Sequence, residues 1–252
     1  MAHFPINLPI PRGVESGLRL GRDVRAGYVR GWGLQYGDLA AQIAKDPEYV
    51  RSYDLARSRS IVREERLKNL YLLIRFYLPA LNPGHIIEFG TFKGGSALFM
   101  ASLCKTYLPG TEVWGLDTFA GMPKTDKGVD AHNENDFNSC DLDELERFRE
   151  RQKLDNLHLV KGTFEQTTPG VLEACGSVRM AHIDCDIYSS CRYAFETCRG
   201  HMVPGGYYVF DDATESSCIG ATEVVEDIVI RKAGLTSEQI SPHFVFRETL
   251  GD

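Results

Sequence analysis

Apolar and polar residues follow two different periods along this chain. Short apolar runs, which are typical of buried strands, occupy residues 85–90, 111–117, 157–162, 178–184, 204–210 and 243–247. Segments with the period of an amphipathic helix lie at 38–44, 60–79, 97–107, 141–153, 171–175, 191–201 and 221–232, and a further helix begins at Pro47. Strands separated by helices predict an α/β fold, in which a parallel sheet carries helices on both faces.

Residues 1–37 keep neither period. The stretch is rich in proline, glycine and arginine, with isolated aromatic residues such as Tyr28 and Trp32. It predicts an arm or lid that covers an anionic or sugar-like ligand or docks on a second subunit, although a loose, solvated surface would have the same composition. We therefore expect arm and lid helices over 1–59, a main domain over 60–252, and a homo-oligomer, namely a dimer.

A second polar stretch, 124–139, interrupts the alternation of strands and helices. A loop this long inside a compact domain is usually functional or disordered. We interpret it as a flap on the substrate side, and we expect His132 within it to be a solvated loop residue.

The composition narrows the class of protein. Hydrophobic residues make up 43% and charged residues 25% of the chain, as in ordinary soluble domains. The formal net charge of −7 argues against partners that require a basic surface, so we expect no nucleic-acid and no membrane partner. Seven scattered cysteines without a C-x-x-C pair indicate reduced thiols, and the N-terminus lacks the pattern of a signal peptide. These features favour a cytoplasmic location.

Two pairs of carboxylates follow two of the predicted strands. Asp184 and Asp186 end one apolar run, and Asp211 and Asp212 end the next. Since strand C-termini line the ligand crevice of an open α/β sheet, these acids should meet, and four ionised carboxylates need a cation or shared protons. Hard oxygen ligands favour Mg²⁺ over Ca²⁺ or Mn²⁺. A single strand-end aspartate more often caps the next helix, but two pairs favour a metal site.

The turn after the first predicted strand is rich in glycine. Residues 88–96 read Glu-Phe-Gly-Thr-Phe-Lys-Gly-Gly-Ser, which is neither the dinucleotide-binding fingerprint nor a P-loop. Glycines and a following helix N-terminus suit the close approach of a ligand. Glu88 would repel a pyrophosphate, but it can accept hydrogen bonds from the α-ammonium group of S-adenosylmethionine.

Two further strand ends extend this cofactor site. Asp117 stands where an acid binds the hydroxyls of a ribose, although a helix N-cap would also use an aspartate there. Gly162, Thr163 and Phe164 end the third strand, where Phe164 can pack on an adenine ring. S-adenosylmethionine is therefore the predicted cofactor.

Four segments together resemble the macrocin-type sugar O-methyltransferases. They are 88–96, 117–123 (Asp-Thr-Phe-Ala-Gly-Met-Pro), 184–190 (Asp-Cys-Asp-Ile-Tyr-Ser-Ser) and 204–212, which begins Pro-Gly-Gly and ends Asp-Asp. The resemblance covers about residues 60–250 and implies the Rossmann-like, seven-stranded, mostly parallel sheet of a class I methyltransferase. It also implies a metal-dependent enzyme of antibiotic biosynthesis. Cys185 and Ser189 stand where we expect Gly and Glu, and 124–139 has no match, so the acceptor stays open.

The same resemblance implies roles for individual residues. Asp184, Asp211 and Asp212 would bind Mg²⁺, and Asp186 would act as the general base, although Asp184 and Asp186 could exchange roles. Side chains alternate along a strand, so both would point into the crevice with Cys185 turned away. The residues expected to contact S-adenosylmethionine are Glu88, Gly90, Thr91, Gly94, Ser96, Asp117, Thr118, Gly162, Thr163, Phe164 and Asp184.

The predicted reaction is methyl transfer to a hydroxyl group of a small molecule, a sugar of a glycosylated natural product. A divalent cation lowers the pKa of a hydroxyl group, and a nearby carboxylate accepts its proton. Catechol-like acceptors fit the same geometry, and oxidative tailoring on a related fold would use the same acids. A non-catalytic nucleotide-binding regulator would need the glycine turn but not four acids.

Overall fold

The computed structural model describes residues 39–249. The predicted arm at 1–37 and residue Asp38 lie outside the described residues, as do residues 250–252. Within the described range, no helix is long and apolar enough to cross a membrane.

Seven strands form one sheet at the centre of the described chain. They are β1 (His85–Phe89), β2 (Val113–Asp117), β3 (Leu157–Lys161), β4 (Val178–Ile183), β5 (Met202–Phe210), β6 (Ser237–Gln239) and β7 (Phe244–Arg247). Their order is β3-β2-β1-β4-β5-β7-β6, in which β1 to β5 run parallel and β7 is antiparallel to β5 and β6. This confirms the predicted seven-stranded, mostly parallel sheet. The chain order reverses between β1 and β4, and such a switch point opens a crevice at the carboxyl ends of the strands.

Helices cover the sheet and begin close to the predicted positions. They are α1 (Leu39–Ile43), α2 (Pro47–Ala56), α3 (Glu64–Leu72), α4 (Gly95–Tyr107), α5 (Leu142–Arg151), α6 (Phe164–Cys175), α7 (Tyr188–Cys198) and α8 (Ile219–Glu223). Wider or tighter helical turns continue three of them: Leu73–Tyr77 and Leu78–Ala80 after α3, Arg199–His201 after α7, and Val224–Lys232 after α8.

Two elements differ from the pattern-based prediction. Strand β6 was not recognised, because three residues are too few to show an alternation of polar and apolar positions. Helix α6 begins at Phe164 rather than at residue 171, although Pro169 lies inside it. Thr163 and Gln166 form a capping box that satisfies the first amide groups, so the helix starts directly after β3.

Apolar side chains fill both faces of the sheet, because neighbouring residues of a strand point in opposite directions. Ile86 of β1 packs on one face with Tyr49 of α2 and Phe99 of α4. The next residue, Ile87, packs on the opposite face with Phe195 of α7. The core therefore occupies both faces, and the carboxyl ends of the strands are left for the site.

Helix α2 belongs to the first of these two layers. Asp46 caps it, and its Tyr49 ring meets the Phe99 ring edge-on at 5.8 Å between centroids. The Ser52 hydroxyl lies 2.8 Å from that of Ser102 in α4. The lid helices predicted within 1–59 thus include one that is packed on the main sheet, and the domain boundary at residue 60 stays a prediction.

Candidate active site

A cavity of about 480 Å³ opens at the carboxyl ends of the central strands. Its wall includes Gly90, Asp117, Asp184 and Asp211, each of which ends a strand or follows one directly. The sheet order therefore brings together residues that are far apart in the sequence, as the strand-end pattern predicted.

The glycine turn touches the chain that leaves β4. Gly90 has a φ of +93°, and a Cβ atom at this position would lie 1.7 Å from the carbonyl oxygen of Asp184. The amide of Asp184 in turn donates to the carbonyl of Phe89 at 2.9 Å. Only glycine fits at position 90, because any side chain would overlap a backbone atom.

Asp117 organises this turn while it lines the cavity. Its Oδ2 accepts hydrogen bonds from the amides of Thr91 (2.9 Å) and Phe92 (2.8 Å), and its Oδ1 accepts one from the amide of Phe119 (2.7 Å). Phe92 and Phe119 both have left-handed backbones, with φ of 47° and 49°. Asp117 therefore holds two strained turns in place, and its predicted contact with a ribose stays a prediction.

Glu88 lies beneath the cavity rather than on its wall. It is fully buried, its Oε1 accepts from His182 Nδ1 at 3.0 Å, and its Oε2 accepts from the Thr91 hydroxyl at 3.0 Å. Burial favours the neutral imidazole, but the carboxylates of Asp211 and Glu88 outweigh it and raise the pKa of His182 to about 9. Both oxygens of Glu88 thus have partners within the protein, and its contact with a cofactor ammonium group stays a prediction.

Three carboxylates meet at the ends of β4 and β5. Oxygens of Asp184, Asp211 and Asp212 lie within 4.8 Å of one another. Burial and the neighbouring carboxylates raise the pKa of Asp184 and of Asp212 well above the ordinary value. Among the residues that the structure describes, no hydrogen bond or cation stabilises the Asp184 carboxylate. Hard oxygen donors, of which Asp184 has no cationic partner, fit a divalent cation such as Mg²⁺.

Asp211 differs from the other two acids because basic groups surround it. Arg66 forms a buried salt bridge with its Oδ2, and His243 Nε2 donates to its Oδ1 at 2.8 Å. Burial opposes ionisation, yet the nearby imidazole of His182, whose Nε2 lies 3.7 Å from Oδ1, and the hydrogen bond from His243 prevail and hold the pKa of Asp211 far below its usual range. Asn69 fixes the other side of the His243 ring, because Nδ2 of Asn69 lies 3.0 Å from Nδ1 of His243. Asp211 is therefore ionised and rigidly held, and its role as a metal ligand stays a prediction.

Asp186 lies in the turn after β4 and not on the strand. The predicted alternation along a strand is wrong here, because β4 ends at Ile183 and Asp186 has a φ of 61°. Cys185 packs inward with its Sγ 3.5 Å from that of Cys191, and yet it also borders the cavity. Burial raises the pKa of Asp186. Its amide donates to Oδ2 of Asp212 at 3.1 Å, which ties the turn to the acid cluster.

Two side chains reach the Asp186 carboxylate. The Cys218 thiol donates to Oδ1 at 3.3 Å, and His132 Nε2 lies 3.7 Å from the same oxygen. The prediction that His132 is a solvated loop residue is wrong, because its side chain is only 18% exposed and borders the cavity. The loop folds inward because Asp130 accepts from the amide of Tyr188, at 2.8 Å, at the start of α7.

Most of the predicted site residues border the cavity. Those that do are Gly90, Thr91, Ser96, Asp117, Thr118, Thr163, Phe164, Asp184, Asp186, Asp211 and Asp212. Glu88, Gly94 and Gly162 are not part of its wall. The roles of these residues towards a cofactor, a metal and a substrate stay predictions.

Sequence reasoning did not identify several residues of the wall. Ile61, Arg63 and Arg66, from the start of α3 and the loop before it, close one side, and His132 and Cys218 close another. Arg66 was hidden because it stands on an amphipathic helix, 145 positions from its partner Asp211. Pairing across that distance leaves no trace in a local pattern.

The sheet order, the glycine turn at its switch point and the acidic strand ends define a class I methyltransferase fold. The sequence model of the macrocin-O-methyltransferase (TylF) family matches residues 51–232. The chain belongs to this family of O-methyltransferases, which confirms the family predicted from the four motifs.

Two curated relatives carry the names of O-methyltransferases. The 8-demethyl-8-(2,3-dimethoxy-alpha-L-rhamnosyl)-tetracenomycin-C 4'-O-methyltransferase of Streptomyces olivaceus is 28% identical over 171 residues, which cover 64% of this chain and 65% of that protein. The mycinamicin III 3''-O-methyltransferase of Micromonospora griseorubida is 27% identical over 183 residues, 68% of this chain and 71% of that protein. The match to the tetracenomycin enzyme thus spans slightly less than two thirds of its length.

Two solved structures share the fold. The O-methyltransferase NovP superposes with a TM-score of 0.64 at 21% identity, over 84% of this chain and 95% of that one. The calicheamicin methyltransferase CalS11 superposes with a TM-score of 0.63 at 20% identity, over 94% of this chain and all (100%) of that one.

Proposed function

We propose that this protein is an S-adenosylmethionine-dependent, Mg²⁺-dependent O-methyltransferase whose acceptor is a hydroxyl group on a sugar of a glycosylated natural product. The observation that carries the proposal is the meeting of Asp184, Asp211 and Asp212 in one cavity, with Asp186 beside them and Gly90 of the glycine turn against the backbone of Asp184. The relatives support the acceptor class, since they are named as O-methyltransferases of a rhamnosyl-tetracenomycin and of mycinamicin III.

The cofactor half of the cavity is built around Asp117 and Phe164. Asp117 holds the turn amides, and the Phe164 ring packs edge-on against Phe89 at 5.1 Å between centroids, which leaves Phe164 on the cavity wall. An adenosine would find a flat apolar ring and a carboxylate for its hydroxyls. S-adenosylmethionine supplies an electrophilic methyl group on its sulfonium sulfur.

The metal half is held by the three aspartates at the ends of β4 and β5. When bound there, a divalent cation supplies positive charge that lowers the pKa of an acceptor hydroxyl group. Arg66 and His243 keep Asp211 ionised and fix its orientation, so this one ligand is in place before an ion arrives.

Asp186 accepts the proton that leaves the acceptor. Its carboxylate borders the cavity next to the acid cluster, and its buried surroundings raise its pKa towards the range in which a general base works best. The amide contact with Asp212 fixes its distance from the metal ligands. Asp184 is the other candidate for this role, and the two are separated by the variants described in the Discussion.

Cofactor binding should depend on Asp117. We expect Asp117→Ala to weaken binding of S-adenosylhomocysteine by about ten- to a hundredfold, because it removes a charged acceptor and releases the amides of the turn. Glu88→Ala should also weaken binding, through the turn rather than through direct contact. Isothermal titration calorimetry measures both, with the exposed Asp155→Ala as the matched control.

The same experiment can contradict the proposal. Undiminished affinity in both variants would place the cofactor elsewhere, and tighter binding of NAD than of S-adenosylhomocysteine would favour a dehydrogenase. Formation of S-adenosylhomocysteine with a panel of glycosylated acceptors then identifies the acceptor.

A further inference from the structure

A histidine, an aspartate and a cysteine meet in a second cluster of possible metal ligands, and none of the three is a proposed magnesium ligand. His132 comes from the loop between β2 and α5, Asp186 from the turn after β4, and Cys218 from the residue that precedes α8. His132 Nε2 lies 3.6 Å from Cys218 Sγ and 3.7 Å from Asp186 Oδ1, and these two atoms lie 3.3 Å apart.

These separations are close to the edges of a tetrahedral zinc site. Bonds of about 2.0–2.3 Å to nitrogen, oxygen and sulfur place neighbouring ligand atoms about 3.3–3.6 Å apart in a tetrahedron. We propose that His132, Asp186 and Cys218 form a second metal site, selective for a borderline-soft divalent cation such as Zn²⁺. Thiolate and imidazole favour Zn²⁺ over Mg²⁺, whereas three carboxylates have the opposite preference.

The contacts around His132 support this assignment. Its Nδ1 lies 3.3 Å from Oδ2 of Asp136, and the same oxygen accepts from the amide of Asn133 at 2.8 Å. A carboxylate behind the imidazole fixes the tautomer that turns Nε2 towards a metal, as in many zinc sites. The Phe137 ring packs on His132 at 5.5 Å between centroids and restrains the imidazole.

The fourth position of such a tetrahedron faces the cavity, because all three donors border it. Three protein ligands with one open position are typical of exchangeable zinc sites rather than closed structural ones. Binding releases the thiol proton of Cys218 to solvent as the sulfur becomes a thiolate ligand.

Occupancy of this site would have a functional consequence, which rests on the proposed function. The oxygen of Asp186 that binds the ion is then no longer free to accept the proton of the acceptor. The ion also links the flap residue His132 to Cys218, the residue before α8. Zn²⁺ is therefore an inhibitor that acts through Asp186, while Mg²⁺ acts through a separate set of ligands.

Cobalt is the probe that tests the site directly. The metal-free protein is saturated with Mg²⁺, titrated with Co²⁺, and followed by the thiolate-to-cobalt absorption band in the near ultraviolet. We expect the band in the wild type and in Cys140→Ser, a control thiol outside the cavity wall, and no band in Cys218→Ser. His132→Ala should weaken Co²⁺ binding by about tenfold or more.

The absence of the band from the wild type, or its persistence in Cys218→Ser, overturns the site. Neither readout requires methyl transfer, so a failure here is distinct from a failure of the proposed function.

The inhibitory role is tested by titrating Zn²⁺ at saturating Mg²⁺, with each variant compared with its own zinc-free rate. Wild type and Cys140→Ser should lose activity at Zn²⁺ concentrations that Cys218→Ser resists, and equal sensitivity contradicts the role.

Discussion

Replacing Asp186 with asparagine should lower kcat by about 10²–10⁴ while the affinities for metal and cofactor stay nearly unchanged. Asparagine keeps the shape of the side chain but cannot accept a proton. Asp186 stands outside the Asp184–Asp211–Asp212 cluster, and its amide, which the substitution keeps, donates to Asp212. Steady-state kinetics of methyl transfer, together with Mg²⁺ and S-adenosylhomocysteine titrations, measure the three quantities.

Asp211→Asn is the contrasting variant. It should weaken Mg²⁺ binding, and high Mg²⁺ should restore part of the activity, because this residue is a proposed ligand and not the base. If the Mg²⁺ affinity of Asp186→Asn falls as far as that of Asp211→Asn, then Asp186 is a ligand and Asp184 becomes the candidate base. The exposed Asp155→Asn controls for a general effect of the lost charge.

Removal of divalent cations should abolish turnover and leave cofactor binding largely intact. Burial and mutual repulsion raise the pKa values of Asp184 and Asp212, and removal of the cation leaves that repulsion uncompensated and the acceptor hydroxyl group without the charge that activates it. The amides around the predicted cofactor site lie in the turns after β1 and β2, where Asp117 accepts their hydrogen bonds, and the Phe164 ring lies on α6.

Chelation is read out in two assays on the same sample. After treatment with EDTA, the methyl-transfer rate should fall to background and return on addition of Mg²⁺, while calorimetry with S-adenosylhomocysteine should show little change. EDTA already saturated with Mg²⁺ controls for effects of the chelator itself. Full turnover after exhaustive chelation would leave the three aspartates as structural acids and remove the metal from the proposal.

The local pattern of the chain was sufficient to predict the sheet and the positions of the acids. An apolar run with an acidic or glycine-rich end can be recognised from a few consecutive residues. A parallel α/β sheet then places all such strand ends at one edge. Gly90, Asp117 and Asp211 could therefore be assigned to one site before the structure was known, and all three border the cavity. The family followed from the same motifs.

Contacts between distant segments could not be obtained this way. Arg66 and His243 hold Asp211 from α3 and from the chain before β7, and neither is close to Asp211 in the sequence. Glu88 shows the opposite case. Its place in the motif suits contact with a ligand, but its side chain lies below the cavity and contacts His182. Side-chain direction at a strand end depends on which neighbour is available, and that neighbour lies on another strand.

The conformations of the flap and of the turn after β4 depend on the tertiary structure alone. Nothing in the polar run at 124–139 indicates that His132 folds inward to Asp186 and Cys218, since loop residues carry no period from which a direction could be read. The left-handed backbone of Asp186 likewise breaks the strand alternation that the sequence implied.

The sequence by itself determined the sheet, the family and the edge at which the acids meet, because these depend on local periodicity. Only the folded chain decided which groups surround each acid, because those neighbours come from segments more than twenty residues away.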